Sequence, residues 1–391
     1  MVRSVCAERP KFAVTTQRRR SMYQVFIASD NIVSPLGRTT AENFMRLRKG
    51  HSAVGTYAEN HLSDRPFAAA LFPPEERTDH AGTSFFEHLL IQSISGALAE
   101  SGLDPRSGKI LLVLSTTKGN IGLLDSGSYL PERLALTASA EVVRRHFSFV
   151  HTPWIVSNAC ISGLVGMITG LRLIRAGQYD HVIVAGADTV SKFILSGFQS
   201  FGAVSETLCR PFDAARNGIN LGEGAGTVIL SSDKKFSRGI QMRSGFVSND
   251  ANHISAPSRT GEELAGIIRR SIASAGLTPG EIDFISAHGT ATVYNDEMEA
   301  KAIARSGLSQ APVNSLKGYY GHTLGAAGLI ESIIAAQSLR EQSIVPTPGF
   351  ENTGVSEPIN VCSEWISRPV RHALKTASGF GGCNAAIVLS E

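Results

Sequence analysis

Charged residues are scarce in this chain of 391 residues, at 18% against about a quarter in an ordinary soluble protein. With 42% apolar residues, that scarcity excludes intrinsic disorder and a coiled coil, and it leaves a sizeable core for one large or two medium domains. No apolar run approaches the ~18 residues of a membrane-spanning helix, because polar residues break each run early. The five cysteines (Cys6, Cys160, Cys209, Cys362, Cys383) are odd in number and contain no CxxC pair. A disulfide framework and a zinc ribbon are therefore excluded, and the cytoplasm is the expected compartment. HExxH and GxSxG are absent. The stretch Gly102 to Lys109 has the wrong spacing for a phosphate loop, with Ile110 where Ser or Thr is required. Gly222-Glu-Gly-Ala-Gly226 leads into a strand, whereas a dinucleotide fingerprint opens a helix.

What charge there is lies unevenly. The net charge is +3, but residues 1–21 hold Arg3, Arg9, Lys11, Arg18, Arg19 and Arg20 against Glu8 alone. The body is nearly neutral, so no nucleic-acid partner is expected for it. The basic segment lacks the apolar stretch of a secretory signal. It reads as a disordered N-terminal extension, or an upstream start, ahead of the first strand-like run, which begins just after Met22.

Two segments repeat one pattern. Glu100-Ser-Gly-Leu-Asp-Pro105 ends a predicted helix and precedes the apolar strand Lys109 to Ser115, and Ser274-Ala-Gly-Leu-Thr-Pro279 does the same before Glu281 to Ala287. Gly stops each helix and Pro prevents its restart. Short apolar strands alternate with helices predicted near residues 86–101, 161–176, 262–274, 296–305 and 326–339, which indicates an α/β architecture made by duplication. The halves are expected to span residues 22–235 and 236–391.

Chemistry concentrates in four places. In Ser157-Asn-Ala-Cys-Ile-Ser-Gly163 a predicted strand turns through Cys160 into a helix carrying Gly163, Gly166 and Gly170, which implies close backbone packing. A cysteine at a helix start is expected to have a lowered pKa, as a nucleophile needs; the alternative is an inert buried thiol. His288 and His322 each follow a strand-like run among small residues. Either suits ligand approach, a structural role, or metal binding with Asp296 or Glu299, although the spacing matches no standard metal set. Ala377-Ser-Gly-Phe-Gly-Gly-Cys-Asn384 is a Gly-rich turn that can present N–H groups to an anion or serve as a plain hairpin turn.

Together these segments closely resemble the β-ketoacyl-[acyl carrier protein] synthases of the thiolase-like superfamily, in the elongating Cys-His-His type. The resemblance rests on Ala159-Cys-Ile-Ser-Gly163, Cys209 to Gly218 with Gly222 to Gly226, His288-Gly-Thr-Ala-Thr292, Lys317 with Gly321 to Gly328, and Gly379-Phe-Gly-Gly382 with Asn384, in family order from Tyr23 to Ser390. It implies two duplicated halves in a five-layer αβαβα sandwich, with no cofactor and no metal. It also implies decarboxylative Claisen condensation, in which Cys160 takes the acyl chain from acyl carrier protein. His288 and His322 then stabilise the enolate from malonyl carrier protein, and the Cys160 and Phe380 N–H groups hold the oxyanion. Phe380 matches the family's gating phenylalanine, and Lys317 with Glu331 matches a supporting pair that from sequence alone equally suits a helix surface.

The chain also departs from the family. Cys383 replaces a usual Thr or Ser, which admits thiolase-type chemistry, and Tyr294-Asn295-Asp296 replaces a more usual Gly-Asp. A non-elongating chain-length-factor-like subunit is the competing class, although such subunits typically lack the cysteine. A homodimer is implied, or a heterodimer with a chain-length-factor homologue. Docking of an acidic carrier is expected on basic residues near the pocket mouth, with Arg46, Arg48, Lys49, Arg144 and Arg145 as candidates. The run Thr116 to Asn120 resembles discrete synthases of polyene-type or specialised lipid pathways, and ordinary fatty-acid elongation is the alternative. Residues 124–149 are expected to form the cap and dimer-contact region.

Overall fold

The computed structural model describes residues 23–58, 60–79, 82–127, 129–250 and 257–391; the basic segment 1–21 lies outside them. Five strands of the first half are β1 (Phe26–Val33), β2 (Ile110–Ser115), β3 (Trp154–Val156), β4 (His181–Asp188) and β5 (Gly224–Ser231). Five of the second are β6 (Gln241–Asn249), β7 (Phe284–Ser286), β8 (Pro312–Asn314), β9 (His372–Gly379) and β10 (Cys383–Ser390). The spatial orders are β3-β2-β4-β5-β1 and β8-β7-β9-β10-β6, so every strand has a counterpart in the same place. Directions repeat as well. β2 is parallel to β3 and β4, and β5 is antiparallel to β4 and β1. In the second half β7 is parallel to β8 and β9, and β10 is antiparallel to β9 and β6. The halves join edge to edge where Phe26 pairs with Gln241.

Helices cover both faces, which explains why the strands read as apolar runs rather than alternating patterns. In β2, Ile110, Leu112 and Leu114 enter one core with helices α1 (Phe85–Ser101) and α2 (Leu136–Phe147), while Leu111 and Val113 enter another with α3 (Ser162–Arg175). On the second half, α4 (Glu262–Ser274) and α5 (Val293–Arg305) cover the outer face. α3 and α6 (Ala327–Arg340) pack together in one core between the two halves of this continuous sheet. The result is the thiolase-like αβαβα sandwich. Among the described residues no helix is long and apolar enough to cross a membrane.

The repeated helix stops fall where the sequence puts them: Gly102 (φ +68°) ends α1 and Gly276 (φ +71°) follows α4, both left-handed. The glycines of α3 mark its close approaches. A Cβ at Gly163 would lie 2.8 Å from the Gly325 carbonyl and 3.0 Å from the Leu329 nitrogen, and one at Gly328 would lie 2.9 Å from the Leu164 nitrogen. The two central helices thus touch backbone to backbone, just behind Cys160.

Candidate active site

The nucleophile candidate sits on a tight elbow. After β3 the chain passes through Ala159 at φ +44°, a conformation that costs a residue with a Cβ of order 1 kcal/mol. Ser162 locks the turn, accepting from the Asn158 N–H (2.8 Å) and donating to the Ala159 carbonyl (2.6 Å). Cys160 is 7% exposed. Its pKa corrects the expectation from sequence: burial pushes the thiol up to about 12, with Cys383 and Asp188 adding to the rise. Lys317 and the Phe380 N–H oppose it without prevailing. Cys160 precedes the first helical residue by two positions, and desolvation outweighs the helix dipole there.

The histidines are presented by braced backbone. His288 follows β7, and the N–H groups of His288 and Gly289 donate to the two oxygens of Glu299, each at 2.8 Å. Asp296 accepts from the N–H groups of Thr290, Ala291 and Phe212. Both carboxylates are therefore engaged by backbone, and no group of side chains suited to a metal occurs among the described residues. His322 is anchored by the segment Asn220 to Gly222: its N–H donates to the Asn220 carbonyl (2.6 Å) and its carbonyl accepts from the Gly222 N–H (3.0 Å). The rings stand edge to face, centroids 5.1 Å apart. Nδ1 of His288 and both ring nitrogens of His322 are buried without a hydrogen-bond partner. Both imidazoles are held well below their usual pKa, first by burial; Lys317 and Lys375 add to this in both, and His322 adds to it in His288.

Lys317 and Glu331 form a buried ion pair, not a surface one. Lys317 Nζ also donates to the His288 carbonyl at 2.9 Å, so it stands behind the histidine rather than facing the cavity. A second buried lysine, Lys375, reaches the other Glu331 oxygen at 2.7 Å. It was absent from the candidates drawn from sequence, where one lysine in an apolar stretch carries no signal.

The turn between β9 and β10 closes the site. Gly381 (φ +85°) and Gly382 (φ +75°) are left-handed, so this turn requires glycine. Phe380, between paired Gly379 and Cys383, stacks on Phe198 (centroids 5.5 Å) and meets Phe201 edge-on (5.6 Å). Asn384 braces the turn, accepting from Ser378 Oγ (2.7 Å) and donating to the Gly382 carbonyl (3.1 Å). Cys160, His288, His322, Phe380 and Asn384 line one cavity of about 370 Å³. Cys383 lies beside it, its Sγ 3.5 Å from the Phe380 carbonyl, and burial raises its thiol to about 11. Tyr294, 74% exposed, stands at the rim. None of Arg46, Arg48, Lys49, Arg144 or Arg145 lines the cavity, and the last two share Glu141.

The family models described as Beta-ketoacyl synthase, N-terminal domain and C-terminal domain match residues 22–235 and 240–351. The 3-oxoacyl-[acyl-carrier-protein] synthase 2 of Rhizobium meliloti (strain 1021) is 30% identical over 94% of this chain and 99% of its own. Two solved structures share the fold over the whole length. A ketosynthase in complex with its chain length factor from Xenorhabdus doucetiae gives a TM-score of 0.85 at 23% identity, covering 96% of this chain and 100% of that one. The ishigamide ketosynthase/chain length factor gives 0.83 at 27%, covering 95% and 99%.

Proposed function

The chain belongs to the β-ketoacyl synthase family, and on that footing we propose that it condenses an acyl thioester with malonyl-[acyl carrier protein], with loss of carbon dioxide, in fatty-acid or polyketide-type biosynthesis. The observation that carries this is the cavity shared by Cys160, His288 and His322, in which Nδ1 of His288 and both ring nitrogens of His322 have no hydrogen-bond partner.

Each step has a residue suited to it. Cys160 Sγ attacks the acyl carbonyl, the carrier thiol leaves, and the acyl group stays on the enzyme as a thioester. In the bound malonyl thioester the bond to the carboxylate breaks, and its electron pair becomes an enolate. Its oxygen takes hydrogen bonds from His288 and His322. Neutral imidazoles suit this role, because an imidazolium would pass its proton to the enolate and quench the carbanion. The carbanion attacks the acyl carbonyl, the Cys160 and Phe380 N–H groups hold the tetrahedral oxyanion, and the Cys160 sulfur leaves. The product is a 3-oxoacyl thioester on the carrier. Lys317 and Glu331 act as positioning residues, since Lys317 touches the His288 backbone and not the cavity.

Phe380 gates the entrance, and its exposed ring between Phe198 and Phe201 supports that role. A second copy of the chain, or a chain-length-factor homologue, is assigned to the edge strand β3, whose Trp154 is 47% exposed. The protein is placed in the cytoplasm with its carrier. The test is reconstitution with acyl and malonyl carrier proteins: the proposal expects one carbon dioxide per 3-oxoacyl thioester. Ketone formation without carbon dioxide release would replace it with thiolase-type chemistry, and no product alone but product with a homologous partner would establish an obligate heterodimer.

A further inference from the structure

Lys375 lies in the middle of β9 with no exposed surface. Taking an ammonium out of water costs several kcal/mol unless every donor is met, and here each one is. Lys375 Nζ lies 2.7 Å from Glu331 Oε2, 2.6 Å from the Thr376 carbonyl, and 3.1 and 3.2 Å from the carbonyls of Ala287 and Ser286. The next carbonyl, that of His288, goes to Lys317. Three consecutive carbonyls leading into the catalytic loop thus end on two ammoniums that share one carboxylate. Thr376, the neighbour of Lys375, donates its hydroxyl to Glu299 at 2.7 Å, the same carboxylate that holds the His288 N–H.

We propose that Lys375 is a positioning residue of the decarboxylation site, holding the second oxygen of Glu331 and the Ala287 carbonyl alongside Lys317, and that its charge opposes protonation of His288 and His322. The inference rests on the β-ketoacyl synthase function. Burial depresses the two imidazoles most, and Lys317 and then Lys375 add to it in both. The remaining ionisable groups around the rings are Cys160 and Asp250 on the cavity wall, Asp188 on the Gly325 N–H, Asp296 and Glu299 beneath the His288 loop, and Glu331 between the two lysines. None of these is a further cation.

The experiment compares wild type with Lys375→Met and Lys375→Gln, reading carbon dioxide release from malonyl carrier protein across pH 5 to 9. Removing a positive charge raises the imidazole pKa values, so the acid limb should move up by about one pH unit. Activity at pH 5 should fall severalfold while activity at pH 8 is unchanged, with KM for malonyl carrier within about twofold. A folded variant whose acid limb stays in place, or which loses activity equally at every pH, would overturn the assignment. Histidine ring titration by nitrogen NMR on wild type gives a second check: neither ring should be protonated at pH 6, and one titrating near its ordinary value of about 6.5 would also overturn it. A wild type that releases no carbon dioxide would instead refute the function on which the inference rests.

Discussion

The rings of His288 and His322 stand at 82° to one another with centroids 5.1 Å apart, so the edge of one imidazole meets the face of the other. Both loops are fixed by backbone contacts on elements of different halves, Glu299 for His288 and Asn220 for His322. Two donors held this way can converge on one small oxygen without reorganising, which is what enolate stabilisation requires.

It follows that the half-reactions separate by residue. His288→Ala and His322→Ala should each lower malonyl decarboxylation by about 10²-fold, on the order of 3 kcal/mol, while Cys160 still accepts an acyl group. Cys160→Ala should abolish condensation and retain carbon dioxide release. Release of radiolabelled carbon dioxide and intact mass of the acyl-enzyme measure the two arms independently.

The raised thiol of Cys160 sets the pH dependence of its reactivity in the empty enzyme. With the pKa near 12, the neutral thiol predominates throughout the working range, and the thiolate fraction rises about tenfold per pH unit. Iodoacetamide alkylation, followed by peptide mass, should therefore keep accelerating from pH 7 to 10. A plateau by pH 8 would mean that the helix dipole prevails over burial after all.

Much of this was legible in the sequence, and the exceptions share a cause. The helix stops at Gly102 and Gly276, the buried run of β2 and the glycines of α3 are local signals, and each marks the element it belongs to. β9 went unread because Lys375 and Thr376 interrupt its apolar pattern. They are polar because they serve the carboxylates Glu331 and Glu299 contributed by α6 and α5. β8, three residues long, is too short to show a period. The Cys160 pKa was misjudged for a related reason: the dipole is visible in sequence order, whereas the desolvating walls come from the far ends of the chain.

Gly163 offers a test of the packing behind the nucleophile. Gly163→Ala would press a methyl group against the backbone of Gly325 and Leu329, and backbone cannot rotate away. The expected cost is about 1–3 kcal/mol, measured by chemical denaturation. Gly266→Ala, where the added Cβ meets nothing within 4 Å, should not destabilise and serves as the control.

Cys383 distinguishes the condensing reaction from a two-cysteine thiolase reaction. Its Sγ contacts the Asn158 and Phe380 carbonyls, and it is assigned no proton transfer. Cys383→Ser should keep condensation within a few-fold of wild type, checked by product formation at saturating carrier. A loss as complete as that of Cys160→Ala would assign it a chemical role.

The most direct test of the account is to follow the acyl group itself. Incubation with an acyl carrier thioester should add the mass of one acyl group to the protein, peptide mapping should place it on Cys160, and malonyl carrier protein should then discharge it as the 3-oxoacyl product. An acyl group found on Cys383, or one on Cys160 that malonyl carrier protein leaves in place while His288 and His322 are intact, would contradict it.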